Sequence, residues 1–330
     1  MSEKKRILSG IQSSGALHIG NYFGAIKQYI ELQDEGDGLY FIANYHSITS
    51  VQDKDKLRKL TQNAVLDLLA LGLDPEKATL FRQTDVPQVT ELAWILGCVT
   101  TKGLLDRATS YKDKIQRGLT PNVGLYTYPV LMAADILLPR ADLVPVGKDQ
   151  QQHLEMTRDI AGYFNETYNV DLFPLPEAKL NEYKIVIGTS KNEDGSFQKM
   201  SKSYNNTIDI FSEGKALKKA VMSIQTDSTP LEEPKNPEKC IVYNLYSLFS
   251  TKDEQTEMAE NYRAGNYGYG TAKKELLQKI NDLFEPSREK RKLLCNDPDF
   301  IEDILQSGAK RVRELGAETM DIVRMAVGIG

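Results

Sequence analysis

Cysteine is scarce in this chain of 330 residues. Its three cysteines, Cys98, Cys240 and Cys295, are widely spaced, and none belongs to a C-x-x-C pair. An odd number of scattered cysteines argues against both a disulfide framework and a zinc site. We therefore expect three reduced, buried thiols and no protein-bound metal centre.

Long apolar runs are missing as well. No uninterrupted hydrophobic stretch is long enough to cross a membrane. The polar start at residues 1–6 leads straight into a strand-like run without the apolar segment of a signal peptide. These absences lead us to expect a cytosolic protein.

The chain also lacks an excess of positive charge, since its formal net charge is -5 at pH 7. Proteins that bind nucleic acid over a broad surface are usually basic, so any RNA contact must come from local patches. Hydrophobic residues make up 41% of the sequence, which is enough for a large core in one composite domain or two.

The first part of the chain alternates strand-like and helix-like segments. Strand-like runs occur at residues 6–12, 39–45 and 78–82, and the clearest helix, at 53–72, begins at Asp53 and ends at a glycine. This alternation predicts an α/β fold with a doubly wound parallel sheet, Rossmann-like, whose ligands bind beyond the carboxyl ends of the strands.

Glycines are concentrated in the passage from the first strand to the first helix, residues 9–24. Free N–H groups at a helix start attract anions, and His18 adds a donor that can carry charge. The glycine spacing fits neither G-x-G-x-x-G nor G-x-x-x-x-G-K-[ST]. From these residues alone, a phosphate site and a tight turn with a surface histidine are equally compatible.

A second polar motif lies far downstream, where Lys199-Met200-Ser201-Lys202-Ser203 follows a strand-like run. Two lysines on a loop can neutralise charge on a polyphosphate, although a solvated polar loop is the ordinary alternative. Together with His18-Ile19-Gly20-Asn21, this motif resembles the paired HIGH and KMSKS signatures of class I aminoacyl-tRNA synthetases. The second signature matches at every position, and the first ends in Asn21 instead of histidine.

Residues 126–140 predict an apolar helix that contains one carboxylate, Asp135. A buried carboxylate needs a hydrogen-bond partner, and its own helix offers no obvious donor. Two partners are compatible with the sequence: a nearby backbone group or Arg140, or a donor on a ligand in an apolar pocket.

A second strand-to-helix turn follows at residues 142–155. The apolar strand 142–146 ends at Gly147, and Asp149 with Gln150 comes next. These polar residues are either helix caps or ligands for a ribose or an α-amino group. His46 directly follows the second strand, where either a structural or a binding role is possible.

The combined segments Tyr128-Pro129, 132–138, 144–147 and Asp149-Gln150 with His153 resemble the tryptophanyl-tRNA synthetase family over nearly the whole chain. The resemblance implies ATP binding by Gln12, Ser13, Ser14, His18, Gly20, Asn21, Gly147, Lys148, Asp149, Ile185, Lys199, Met200, Ser201, Lys202 and Ser203. It implies tryptophan binding by Tyr128, Met132, Asp135, Val144, Val146, Gln150 and His46. It also implies catalytic roles for Lys114, Lys199 and Lys202, and ATP with Mg²⁺ as the reacting nucleotide.

The strand–helix alternation stops after the lysine motif, and helices are predicted at 213–223, 238–249, 253–263, 271–284 and 298–327. We expect a catalytic domain at 1–205, with a basic insertion at about 100–122, and a helical domain at 206–330 that suits anticodon binding. Candidate RNA-phosphate contacts are Arg288, Lys290, Arg291, Lys292, Arg311 and Arg313. The resemblance also implies a homodimer.

The resemblance implies a ligase that forms tryptophanyl-adenylate and then charges tRNA(Trp). A tyrosyl-tRNA synthetase would share the fold and both signatures, but its pocket must satisfy a phenolic hydroxyl. A small-molecule nucleotidyltransferase or a non-catalytic RNA-binding paralogue would not require the complete lysine motif.

Overall fold

A computed structural model describes residues 4–13, 15–108, 111, 122–147, 150–180 and 185–330. The chain forms two compact units. The first, called here the sheet unit, comprises Met1–Gly15, Tyr29–Asn181 and Leu294–Gly330. The second, called the hairpin unit, comprises Ala16–Gln28 and Glu182–Leu293.

The sheet unit contains a five-stranded parallel sheet in the order β3-β2-β1-β4-β5. Its strands are β1 (Arg6–Ile11), β2 (Asp37–Ile42), β3 (Thr79–Arg82), β4 (Leu143–Val146) and β5 (Glu177–Leu180). Helical segments separate consecutive strands, and the order reverses at β1, where a doubly wound sheet places its ligand. The predicted fold class is confirmed.

Helices of the sheet unit begin and end close to the predicted residues. The helix predicted at 53–72 spans Lys54–Ala70, and the Asp53 side chain caps it by accepting from the Lys56 N–H. The chain's first helices are α1 (Ile19–Asn21), which belongs to the hairpin unit, and α2 (Lys27–Leu32), and a π-helical turn at Tyr22–Ile26 joins them. The next helices, all in the sheet unit, are α3 (Asn44–Ile48), α4 (Lys54–Ala70), α5 (Gln88–Val99), α6 (Lys102–Asp106), α7 (Val123–Leu137) and α8 (Gln151–Tyr168).

The hairpin unit combines an antiparallel hairpin with helices. The hairpin is β6 (Ile187–Lys191) with β7 (Phe197–Lys199), and the helices are α9 (Gly214–Met222), α10 (Ile241–Tyr246), α11 (Lys252–Ala264) and α12 (Tyr269–Cys295). Edge-to-face ring contacts join Tyr22 to Phe284 and Phe23 to Phe249, so the stretch after the first signature packs within this unit.

The last helix, α13 (Pro298–Val327), belongs to the sheet unit. It packs on β3, where Gly308 permits the contact because a Cβ there would collide with the Leu80 carbonyl oxygen. Arg311 donates to both carboxylate oxygens of Asp37 at 2.8 Å. The compact units therefore differ from a simple division after residue 205, since residues 16–28 and 294–330 each join a unit that is distant in sequence.

Two local expectations are wrong. The helix predicted at 271–284 continues to Cys295 through Pro286, because packing of later residues such as buried Arg288 outweighs the loss of one helical hydrogen bond. Only Cys240 is buried, whereas Cys98 and Cys295 are exposed. Among the described residues, no helix is both long and apolar enough to span a membrane.

Candidate functional site

The glycine-rich passage at residues 9–24 starts in β1 and leads to the first signature at His18. Gln12 is exposed, whereas Ser13 is buried with its hydroxyl 3.5 Å from that of Thr61 on α4. Ser14 lies outside the described residues. The Ser13 side chain therefore contacts α4, and this segment presents Gln12 to solvent.

His18 stands at the start of α1 and is 8% exposed. Its backbone N–H donates to the Asn21 side-chain oxygen at 3.0 Å, so Asn21 caps the turn in the position where the HIGH signature has histidine. Burial, followed by the positive charges of Lys202 and Lys199, lowers the His18 pKa to about 4. The lowered pKa leaves the imidazole neutral at pH 7 in the folded protein.

The two signatures contact each other within the hairpin unit. The Gly20 N–H donates to the Met200 sulfur at 3.3 Å, and Met200 is buried. Residues on either side of His18 are also held, because Ile19 donates to the Ile208 carbonyl and Ile210 donates to the Leu17 carbonyl. The pairing predicted from sequence thus brings His18 and Gly20 beside the lysine motif.

Both lysines of the second signature are exposed, although Met200 between them is buried. Ser201 caps a short 3-10 helix, Lys202–Tyr204, by accepting from the Ser203 N–H. A Cβ on Gly20 would lie 3.0 Å from the His18 ring and 3.2 Å from the Met200 Cβ, so glycine relieves a tight approach between the two signatures. Two exposed ammonium groups beside an open turn are suited to a polyphosphate. Ile185, also predicted to bind ATP, is exposed just before β6.

A second cluster in the sheet unit surrounds Asp135 on α7, which is 6% exposed. Gln83 Nε2 donates to its two oxygens at 2.8 and 2.9 Å, and His46 Nε2 lies 2.8 Å from Oδ2. Burial raises the Asp135 pKa, while the bonds from His46 and Gln83 oppose that shift.

The sequence left open whether the partner of Asp135 is internal or a ligand, and the structure provides two internal partners, neither on the helix of Asp135 itself. Gln83 follows β3 and His46 follows β2, so the sheet supplies both partners from its carboxyl-terminal edge. The other internal partner considered, Arg140, instead donates to the Thr319 hydroxyl. Sequence reasoning missed Gln83, which lies 52 residues before Asp135 and belongs to no recognisable motif.

Aromatic and imidazole rings extend this cluster. The Tyr128 hydroxyl hydrogen-bonds His153 Nε2, and the His46 and Tyr128 rings lie edge to face at 6.2 Å. Tyr128, Met132 and Asp135 occupy successive turns of α7 and so share one face. The helix thereby aligns three of the residues predicted to bind tryptophan.

The remaining predicted residues lie around β4 or outside the described parts of the chain. Val144 and Val146 are buried in β4, and Gln150 is exposed at the start of α8, where its N–H donates to the Gly147 carbonyl. Lys114, Lys148 and Asp149 lie outside the described residues. In the basic insertion, Lys102 pairs with Asp106 at 2.7 Å, and Lys112 and Arg117 also lie outside the described residues.

A cavity of about 1020 Å³ opens elsewhere in the sheet unit, and its lining includes Arg6, Asp37 and Arg311. None of the residues predicted to bind ATP or tryptophan lines it. Arg6 and Arg311 both pair with Asp37, so these charges are satisfied within the protein. We assign no ligand to this cavity.

Comparisons with known proteins identify the family. The family described as tRNA synthetases class I (W and Y) matches residues 1–285. A tryptophan–tRNA ligase of Fusobacterium nucleatum is 56% identical over 326 residues, covering 98% of each chain. The chain belongs to the tryptophanyl-tRNA synthetase family. A second relative, the tryptophan–tRNA ligase of Rhodopirellula baltica, is 50% identical over 325 residues and covers 98% of this chain and 99% of its own.

A solved tryptophanyl-tRNA synthetase supports the same assignment. The Campylobacter jejuni enzyme, complexed with ADP and tryptophan, is 48% identical with a TM-score of 0.92, and the match covers 98% of this chain and 99% of that one. The predicted family is confirmed, and the tyrosyl-tRNA synthetase and paralogue alternatives are not favoured.

Within this tryptophanyl-tRNA synthetase, several predicted RNA contacts are already engaged. Arg288 is 3% exposed and donates to the Ile210 carbonyl and the Asn281 side chain, so its predicted contact with RNA phosphate is wrong. Arg311 pairs with Asp37, and Arg313 donates to the Asp85 carbonyl. Lys292 pairs with Glu213 and Glu289, whereas Arg291 lies over the Phe211 ring.

Sequence reasoning overlooked a different set of cations on α9. Lys215, Lys218 and Lys219 are exposed, opposite the buried Leu217 and Val221. None of the three ammonium groups forms a hydrogen bond or ion pair with any residue that the structure describes. The amphipathic pattern of this helix, with three lysines on its polar face, could have identified them from the sequence.

Proposed function

We propose that this tryptophan–tRNA ligase uses the hairpin-unit signatures to hold ATP and the Asp135 cluster to select L-tryptophan. The single observation that carries the nucleotide site is the Gly20–Met200 contact beside exposed Lys199 and Lys202.

The reaction needs no protein nucleophile. The tryptophan carboxylate attacks the α-phosphate, pyrophosphate leaves, and the adenylate passes its acyl group to the 3′-terminal ribose of tRNA(Trp). We expect the 2′-hydroxyl to be the acceptor. Holding both substrates in position contributes on the order of 7 to 11 kcal/mol, and the two lysines stabilise phosphate charge as pyrophosphate departs. Lys114, Lys148, Asp149 and Ser14 remain proposed participants.

The Asp135 carboxylate can still accept a hydrogen bond from a ligand. Its Oδ1 accepts one hydrogen bond and its Oδ2 takes part in two, whereas each carboxylate oxygen offers two lone pairs. We propose that Oδ1 accepts the indole N–H, while Gln83 and His46 hold the carboxylate in place. Tyr128, Met132, Val144, Val146 and His46 then form the walls, and Gln150 binds the amino-acid end.

Mg²⁺ belongs to the proposal together with ATP. The phosphate oxygens of the nucleotide are hard ligands of the kind that Mg²⁺ prefers, and the cation supplies further charge neutralisation there. Among the described residues, no cluster of three or more His, Cys, Asp or Glu side chains is arranged to hold a metal. Lys199 and Lys202 are the protein's own cations at this place.

We propose that helices of the hairpin unit contribute to tRNA binding. The support is the cationic face of α9, formed by Lys215, Lys218 and Lys219, with exposed Lys290 on α12. Unpaired lysines are available to RNA phosphates at no loss of internal ion pairs. An anticodon-binding role for the helical part of the chain remains a prediction.

A homodimer and a cytosolic location complete the proposal. Trp94 on α5 and Val123 on α7 are each 77% exposed, and large exposed apolar side chains are typical of surfaces that a partner covers. The cytosol is the expected location because translation consumes the charged tRNA there.

Amino-acid-dependent ATP–pyrophosphate exchange with all twenty amino acids tests the function. Exchange should depend on tryptophan and on Mg²⁺. A larger rate with tyrosine would overturn the assignment of substrate, and no exchange with any amino acid would favour a non-catalytic RNA-binding protein.

A further inference from the structure

Asn206 is a polar side chain with 1% exposure, placed just after the lysine motif. Its Oδ1 accepts from the Ser201 N–H at 2.8 Å. Its Nδ2 donates to the Lys199 carbonyl at 3.0 Å and to the Gln198 side chain at 3.1 Å. One buried carboxamide therefore binds the backbone on both sides of Met200.

We propose that Asn206 is a positioning residue for amino-acid activation, which fixes the backbone of residues 199–201 so that Lys199 and Lys202 face the ATP phosphates. This inference rests on the proposed nucleotide site. The lysines make the electrostatic contribution, and Asn206 restricts the loop before ATP arrives. A preorganised donor stabilises developing charge without reorganisation at the moment of reaction.

The surroundings of Asn206 are shaped to fit it. A Cβ on Gly188 in β6 would collide with the Asn206 carboxamide, so this strand position leaves room for that side chain. The Thr189 N–H donates to the Asn206 carbonyl at 3.0 Å, which ties its backbone to the same strand. Asn205, directly before Asn206, has a left-handed backbone with φ of 50°, which reverses the chain after the lysine motif.

The hydrogen-bond pattern requires a carboxamide. Asparagine offers one acceptor oxygen and two N–H donors, and all three are used here. Aspartate has nearly the same shape but would place an oxygen against the Lys199 carbonyl and the Gln198 oxygen. Asn206→Asp therefore breaks two bonds and keeps the volume, which separates hydrogen bonding from packing.

Asn206→Asp is expected to lower kcat for tryptophan-dependent pyrophosphate exchange by about 10²-fold, the scale for losing one preorganised donor. The dissociation constant for tryptophan alone, measured by calorimetry, should change less than about 3-fold, because the Asp135 cluster is untouched. Gly188→Ala should act in the same direction. Asn205→Gly, which keeps the left-handed turn, is the matched control and should retain wild-type exchange.

A double-mutant cycle with Lys202→Ala distinguishes positioning from general destabilisation. If Asn206 acts through the lysine loop, Asn206→Asp should reduce kcat much less in the Lys202→Ala background than in wild type. The inference would be overturned if Asn206→Asp kept the wild-type kcat, or if it lowered the affinity for tryptophan as much as it lowered kcat. It would also be overturned if the effects of the two substitutions on kcat simply multiplied in the double variant. Absence of exchange in the wild-type protein would instead overturn the proposed function.

Discussion

The lysine motif and the Asp135 cluster differ in how far their charged groups are buried and paired within the protein. In the hairpin unit, Lys199 and Lys202 are exposed, and the Lys199 ammonium group has no hydrogen bond or ion pair with any described residue. In the sheet unit, Asp135 is buried and bound by Gln83 and His46. The phosphate chain of a nucleotide carries enough negative charge to pair with both exposed lysines. A single indole N–H is too weak a partner to stabilise a buried carboxylate by itself.

This difference predicts how each cluster fails. Removing an exposed lysine leaves its surroundings accessible to water, so the fold should persist while catalysis drops. Removing Asp135 leaves the side chains of Gln83 and His46 without their hydrogen-bond partner, so both tryptophan recognition and local stability should decrease. The following experiments test that contrast, beginning with the largest expected effect.

Asp135→Ala should have the largest effect on selectivity. A site built around a substrate N–H rejects an analogue without it by roughly 10⁴ to 10⁵, whereas an apolar slot discriminates only about 10 to 200-fold. The ratio of kcat/KM for tryptophan to that for phenylalanine should therefore fall by about 10³. Exchange kinetics with both amino acids measure it, and Asp171→Ala, an exposed carboxylate of the same unit, is the control. An unchanged ratio would make Asp135 a purely structural residue.

Lys199→Ala and Lys202→Ala should each reduce kcat of activation by about 10² to 10³, with a smaller change in KM for tryptophan. Since both side chains are exposed, the free energy of unfolding should change by no more than about 0.5 kcal/mol. Lys310→Ala, at an exposed position on α13, serves as the control. Normal adenylate formation in both variants would remove the loop from the chemistry.

His18 gives the hairpin unit a pH-dependent contribution to stability. Its pKa of about 4 in the folded protein lies below the ordinary 6.5, so the unfolded chain binds more protons between these values. Stability should be fully present above about pH 6.5 and fall progressively as the pH drops to about 4, by on the order of 3 kcal/mol. Denaturant unfolding of wild type and His18→Gln measures the difference, which should shrink on acidification. A pH-independent difference contradicts this account.

The smallest effect should come from the cationic face of α9. Changing Lys215, Lys218 and Lys219 to glutamate should weaken tRNA binding by about 10-fold or more and reduce its salt slope by roughly 1 per lysine. Pyrophosphate exchange should stay intact, because phosphate contacts act on RNA binding. Lys310→Glu in the sheet unit is the matched control. Unchanged affinity and slope would place the RNA contacts elsewhere.

The sequence was most informative where a function depends on neighbouring residues. The glycine-rich turn and the Lys199–Lys202 motif each occupy a short stretch, and Asp135 was conspicuous as one carboxylate in an apolar helix. Gln83 and Asn206 could not be identified in this way, since their roles depend on contacts fixed only by strand order and burial. For the same reason, neither the lowered pKa of His18 nor the burial of Arg288 could be anticipated from the sequence.

The packing of α13 on β3 has a consequence for synthesis on the ribosome. Arg311, which donates to the Thr79 hydroxyl, lies 232 residues after it in the chain. At about 5 to 20 residues per second, β3 emerges on the order of 10 to 50 s before the helix that covers it. The nascent sheet unit therefore presents an uncovered apolar edge while the whole hairpin unit is being made. A chaperone that shields β3 during this interval would affect the yield of active enzyme without touching either cluster.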